Sequence, residues 1–172
     1  MSIASGYMCD TNVFNRILDG AIAPESLRGP IFATHIQRDE IGNTKDLGRR
    51  TALMAVFAEI VEPGVPTASF VLDESRLDEA CLSSAVVSTT SAAWDVSRWN
   101  QARWTDGESF CQAMKSELDK LNRSKPNNIR DALIAETSIR RSHILVTDDS
   151  DLASVTRQFG GVALTVNEWL CK

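Results

Sequence analysis

Four acidic stretches punctuate the short apolar runs of this chain: YMCDTN near the start, THIQRDE, NIRDALIAE, and ILVTDDSDL near the end. Short apolar runs that alternate with helical patterns read as buried strands of a parallel sheet. The ends of adjacent parallel strands lie side by side however far apart they stand in the chain. Asp10, Glu40, Asp131 and Asp149 are therefore expected to meet in one cleft. Carboxylates crowded together repel one another unless divalent cations neutralise them. The pattern points to an α/β domain carrying a metal-dependent phosphoryl-transfer site.

The flanking residues fill in the elements. Residues 6–9 form a short apolar strand, and Asp10, Thr11 and Asn12 are suited to cap the helix begun by VFNRIL. Residues 20–30 hold two prolines and two glycines and read as a loop before a strand at 31–34. Glu40 is expected at the start of the helical region that follows. Apolar residues at Leu47, Leu53, Met54, Phe57, Ile60 and Val61 predict an amphipathic helix over 45–62, stopped by Pro63-Gly64. Farther on, a helix is predicted over 108–121 and another from Asn128, which should cap it, with Ile129, Ala132, Leu133, Ala135 and Ile139 on its buried side. Strands at 144–146 and 162–164 enclose a helix at 151–159, and 166–170 closes as a helical turn. That alternation favours a mainly parallel sheet flanked by helices.

Residues 65–107 break the pattern, being poor in helical periodicity and rich in small and β-branched residues. Within them LDESRLDEACL (72–82) aligns with WDVSRWNQARW (94–104) at an offset of 22 residues. The stretch is read as an insertion or lid within a single domain of 172 residues.

Charge and composition narrow the chemistry. A net charge of −5 does not mark a nucleic-acid binder by bulk electrostatics, yet two bound divalent ions would cancel about four negative charges. Contacts to phosphate would then rest on local arginines, Arg49, Arg50 and Arg130 first, with Arg98 and Arg103 in the central stretch. The four cysteines are dispersed and form no CxxC pair, against a zinc knuckle or a redox motif, and are expected to be buried or half-buried. His35 and His143 lack a GxSxG partner, against a Ser-His triad. Oxygen donors suit Mg²⁺ or Mn²⁺. Glu136 stands about 140° round the helix from Asp131 and should point elsewhere, behind the site. No apolar run approaches the ~20 residues of a membrane span, and the N-terminus has no leader pattern, so a cytoplasmic protein is expected.

MCDTNVFNRIL, HIQRDEIGNT and DALIAETSIRRSHILVTDDSDL together resemble the PIN-domain nucleases, including the toxin ribonucleases of bacterial toxin–antitoxin pairs. The resemblance spans roughly residues 1–62 and 125–170 and leaves the middle unexplained. It implies a PIN-like three-layer fold in which Asp10, Glu40, Asp131 and Asp149 are the catalytic quartet that binds metal. Asp151 would join them as a metal ligand, and Asn12, Thr147 and Asp148 would orient them. PIN domains often have Asn where this chain has Asp148, which leaves open whether Asp148 or Asp149 is the direct ligand. The implied activity is hydrolysis of RNA phosphodiesters with one or two Mg²⁺ or Mn²⁺ ions, leaving a 5′ phosphate. A homodimer and an antitoxin protein are implied by the same resemblance.

Two rival readings stand beside it. A non-catalytic PIN-like interaction protein would use the central segment, with Trp94, Trp99 and Trp104, as a partner-binding surface. An aspartyl-nucleophile phosphatase would want a second Asp two residues after Asp10, where this chain has Asn12.

Overall fold

The computed structural model describes residues 6–81, 86–87 and 110–171. In chain order they form β1 (Tyr7–Cys9), α1 (Thr11–Leu18), a 3₁₀ turn (Pro24–Ser26), β2 (Ile31–Phe32), α2 (His35–Gly42) and α3 (Leu47–Ile60). Then come β3 (Phe70–Val71), β4 (Val86–Val87), α4 (Phe110–Asn122), α5 (Asn128–Arg140), β5 (Ile144–Val146), α6 (Ser150–Gln158), β6 (Val162–Leu164) and α7 (Val166–Leu170). The main sheet is wholly parallel, in the order β2-β1-β5-β6, with Tyr7 opposite both Ile31 and Ile144.

Alternation along these strands splits the core into two sides. Met8, Leu145 and Ala163 pack with Met114, Leu118, Leu133 and Leu152 from α4, α5 and α6. Their neighbours Cys9, Val146 and Leu164 face the other way, onto Phe14, Leu53 and Trp169 from α1, α3 and α7. The result is the expected three-layer α/β architecture, a parallel four-stranded sheet with helices on both faces. Because the chain steps from β1 to β2 on one side and reaches β5 and β6 on the other, the winding reverses beside β1. Such a reversal opens a crevice beyond the carboxyl ends of the strands.

Local expectations hold in part. The helix α3 forms as predicted and buries Leu53, with Met54, Phe57, Ile60 and Val61 packed at the edge of the core, but Leu47 is 65% exposed. One helix earlier, a capping box between Thr34 and Gln37 opens α2 at His35, so Glu40 lies near the C-terminal end of that helix and not at its start. Asn128 does not cap α5: Asn127 occupies that position without a side-chain bond. The buried Asn128 amide instead donates to Asp119 at 2.6 Å and to Asn122 at 2.8 Å, locking the corner between α4 and α5. Burial of α5 extends beyond one side, because Ile134, Glu136, Thr137 and Ser138 are buried as well. Cys9 and Cys111 are buried and Cys81 half-buried as expected, whereas Cys171 is exposed.

Of the central stretch, residues 65–81 are described with the backbone of β4, which pairs in parallel with β3. The second copy of the repeat, at 94–104, lies outside the described residues. No helix among the described residues is long and apolar enough to cross a membrane.

Packing is tight where α6 turns into β6. A Cβ built on Gly161 would meet Ile139 Cγ1 at 2.6 Å, Thr156 Cγ2 at 2.8 Å and the Thr156 carbonyl at 3.0 Å. Backbone cannot step aside as a flexible side chain can, so Gly161→Ala is expected to cost about 1–3 kcal/mol, read by urea denaturation at equilibrium.

Candidate active site

Four separate elements bring one carboxylate each to the crevice. Asp10 ends β1 and caps α1, with its backbone N–H donating to the Val146 carbonyl at 3.0 Å, which anchors it to the neighbouring strand. Glu40 comes from α2, which the buried Gln37 amide ties to β1 by donating to the Cys9 carbonyl at 3.1 Å. Asp131 sits in the first turn of α5, and Asp149 caps α6 by accepting from the Asp151 and Leu152 N–H groups at 2.9 and 3.0 Å. All four line one cleft of about 440 Å³, together with Thr11, Asn43, Lys125, Asn127 and Arg130.

Thr147 organises this group from beneath. Its buried hydroxyl donates to Asp10 Oδ2 at 2.8 Å and accepts from the Asp149 N–H at 3.0 Å, coupling two of the four acids. Asn12 donates to the same Asp10 oxygen at 3.3 Å. The Thr11 hydroxyl donates to Glu40. Among the described residues the Asp131 carboxylate has no hydrogen-bond or ion-pair partner.

Burial and mutual repulsion set the protonation of the cleft. Asp10 is 6% exposed, and burial raises its pKa to about 6 against the lowering hydrogen bonds from Thr147 and Thr11, with Glu40 and Asp149 adding to the rise. Asp131 is pushed up to about 7, first by burial and then by Asp10, Glu40 and Asp149, while Lys125 pulls the other way. Both values say that negative charge is under-compensated here.

The acid pair at the end of β5 resolves by geometry. Asp148 turns away, accepting from the Val166 N–H at 3.2 Å and pairing with Arg16 at 2.9 Å, and does not line the cleft. Asp149 faces the cleft with one oxygen spent on the helix cap. Asp151 follows in the first turn of α6 and lines no part of the cleft. Of the five arginines expected at phosphate, Arg98 and Arg103 lie outside the described residues, and of the other three only Arg130 reaches the wall. Arg49 is held by Asp19 at 2.7 Å and Asn15 at 2.9 Å, and Arg50 donates to the Gly42 carbonyl at 3.3 Å. Glu136 points away from the cleft as expected, into the core, where it accepts from Ser69 at 2.9 Å and Arg140 at 2.8 Å.

The cleft also holds Thr11, Asn43, Lys125 and Asn127, which the sequence pattern does not single out. Thr11 is next to Asp10, while the others sit in polar links beside the acid-bearing helices, where sequence alone does not separate a cleft residue from a solvated one.

A hard divalent cation fits the donor set by its chemistry: four carboxylates, two of them protonating above their ordinary 3.8, and all the donors oxygen. Among the described residues no three Asp, Glu, His or Cys side chains yet converge closely enough to chelate one ion. Asp10 and Glu40 are each turned onto hydroxyl donors, Thr147 and Thr11. Those two carboxylates would have to exchange these bonds for a metal.

No family model and no curated protein matches this chain. Among solved structures it is similar to a chain of the crystal structure of VapBC2 from Rickettsia felis bound to a DNA fragment from their promoter. The two share 13% identity over 93% of this chain and 98% of the other, with a TM-score of 0.45.

Proposed function

We propose that this protein is a metal-dependent ribonuclease of the PIN kind, hydrolysing RNA phosphodiester bonds at Asp10, Glu40, Asp131 and Asp149. The observation that carries this reading is the gathering of four carboxylates from four elements at the winding reversal, with two of them under-compensated strongly enough to hold protons to about pH 6 and 7. Such a site is costly to build for stability alone, and strongly shifted carboxyls in a cleft mark functional sites. Mg²⁺ or Mn²⁺ held by these acids would activate the attacking water and neutralise charge on the leaving oxygen.

The chain's own residues do the rest. Thr147 fixes the Asp10 carboxylate by its hydroxyl and sets the Asp149 backbone with the same oxygen. The α6 N–H groups hold Asp149 Oδ1, so that its other oxygen is the one turned to use. Arg130 and Lys125 supply positive charge on the wall where an anionic backbone must approach four acids. Above about pH 7 both Asp10 and Asp131 are free of the protons that compete with a cation, so cutting should rise from pH 5 to pH 8. A toxin role, a neutralising antitoxin and a homodimer belong to the same reading.

The test is cleavage of a mixed RNA pool with Mg²⁺, with Mn²⁺ and with a chelator. Cutting that needs either ion supports the proposal, and no cutting by folded protein under any of the three conditions counts against it. A finer check falls on Thr147. Thr147→Val is expected to weaken activation by Mn²⁺ about 10–100-fold, as loss of a ligand-orienting hydrogen bond typically does. Thr147→Ser should retain most of it, since the hydroxyl is kept; equal half-saturating Mn²⁺ in Val and wild type would remove Thr147 from the site.

A further inference from the structure

We propose that the cavity beside the acidic cleft is a second phosphate subsite for single-stranded RNA, in which Arg130 and Arg76 grip the backbone and Glu74 aims Arg130. This rests on the ribonuclease reading above and extends it to the segment at 65–81. The cavity measures about 520 Å³, within the ~300–1,000 Å³ typical of ligand pockets. Arg130 and Asn43 line both it and the cleft, so the two spaces share a wall. A strand lying across the four acids has this cavity as its neighbour on the Arg130 side.

Its chemistry differs from that of the cleft: three arginines, Arg38, Arg76 and Arg130, line it beside the carboxylates Asp39, Asp73 and Glu74. Arg130 spends only Nε on protein, donating to Glu74 Oε2 at 2.7 Å; among the described residues its two terminal amino groups make no hydrogen bond. A guanidinium pinned at Nε presents its fork to phosphate with little entropy left to lose. Arg76 donates one terminal group to Asp39 at 2.9 Å, has its Nε 3.8 Å from Glu79 Oε2, and keeps the other terminal group. Arg38, by contrast, is consumed by a two-pronged pair with Glu79 at 2.8 and 2.6 Å and serves as scaffold. Ile36 and Met54 give the cavity an apolar floor against which a base can lie.

Glu74 is itself held firmly. Its carbonyl lies 3.2 Å from His35 Nε2 at the start of α2. The turn that carries it is closed by Ser75 N–H to the Val71 carbonyl at 2.8 Å and by Val71 N–H to the Ser75 hydroxyl at 3.0 Å. Asp73 takes a positive φ of 70° at its tip, a conformation that Asp tolerates better than most residues. A rigid turn thus delivers Glu74 to Arg130 and Arg76 to the cavity.

Binding of a fluorescent single-stranded RNA, with Ca²⁺ in place of Mg²⁺ to hold cutting back, tests this without relying on catalysis. Arg76→Ala is expected to weaken binding about tenfold, the effect of losing one charge-assisted contact. Arg76→Ala should also lower the slope of log affinity against log salt by about one, and Arg76→Lys should restore that slope. A merely structural role would not follow the charge in this way. Unchanged affinity and slope in correctly melting variants, or no binding by the wild type, overturns the subsite. Binding that weakens as described in a protein that cuts nothing with Mg²⁺ or Mn²⁺ would keep the subsite and refute the nuclease.

Discussion

Asp10→Asn and Asp149→Asn are each expected to lower Mg²⁺- or Mn²⁺-dependent cutting of RNA by at least about a thousandfold, the equivalent of roughly 4 kcal/mol of transition-state stabilisation. Both changes keep the shape of the side chain and remove its charge. Asp149→Asn is the cleaner of the two, because the amide oxygen can still accept from the Asp151 and Leu152 N–H groups and keep the α6 cap. At Asp10 one acceptor is lost among the donors Thr11, Asn12 and Thr147, while a 6%-exposed charge is also relieved. Circular dichroism should find both variants folded. Initial rates on one RNA substrate across a Mn²⁺ titration give the comparison, and near-wild-type rates in either variant would place the chemistry elsewhere.

The second large effect is on stability. Asp10 and Asp131 bind their protons up to about pH 6 and 7 in the folded chain, against an ordinary 3.8 once unfolded. Folding therefore takes up protons between about pH 4 and 7. The stabilisation is fully present below the unfolded value and is lost as pH rises through the folded ones. Because the two carboxyls repel each other they titrate as a pair, and their joint contribution is on the order of 3–5 kcal/mol. The lowered pKa of His143 works in the opposite direction and has to be separated. Asp131→Asn does so: urea denaturation of the metal-free protein from pH 5 to pH 8 should lose stability steeply in the wild type and more gently in the variant. Millimolar Mg²⁺ or Mn²⁺ at pH 8 should recover the loss in the wild type alone. Parallel pH curves for the two proteins would mean that Asp131 is not charged against its neighbours as described.

Most of the frame could be read from local signals. A strand followed at once by a capping acid is visible at Asp10, three acids at 148–151 stand close behind another strand, and the alternation of helix and strand after residue 128 shows the parallel sheet. Glu40 lies later in its helix than the run of acids in HIQRDE suggests, because the Thr34–Gln37 capping box, itself a local signal, starts that helix at His35. Asn128 has the composition of a cap, but its partners Asp119 and Asn122 belong to another helix, and no local pattern announces them. Asp148 and Asp149 could not be told apart for the same reason, since Arg16 and Val166, which turn Asp148 aside, are far away in the chain. The segment at 65–81 has no periodicity to read because ion pairs to α2 and α5 hold it, Glu79 with Arg38 and Glu74 with Arg130.

The β1 strand lies in the middle of the sheet, although it is the first to be made. Its partner β5 lies so late that Thr147 and Asp10 stand 137 positions apart. Three of the four acids, Asp10, Glu40 and Asp131, have left the ribosome before that strand, but the surface they need has not. A growing chain thus carries a cleft with one wall missing, and interrupted synthesis yields fragments without the Asp149 arm. For the ribonuclease proposed above, this order means that the four acids cannot meet in one cleft until the Asp149 arm has been made.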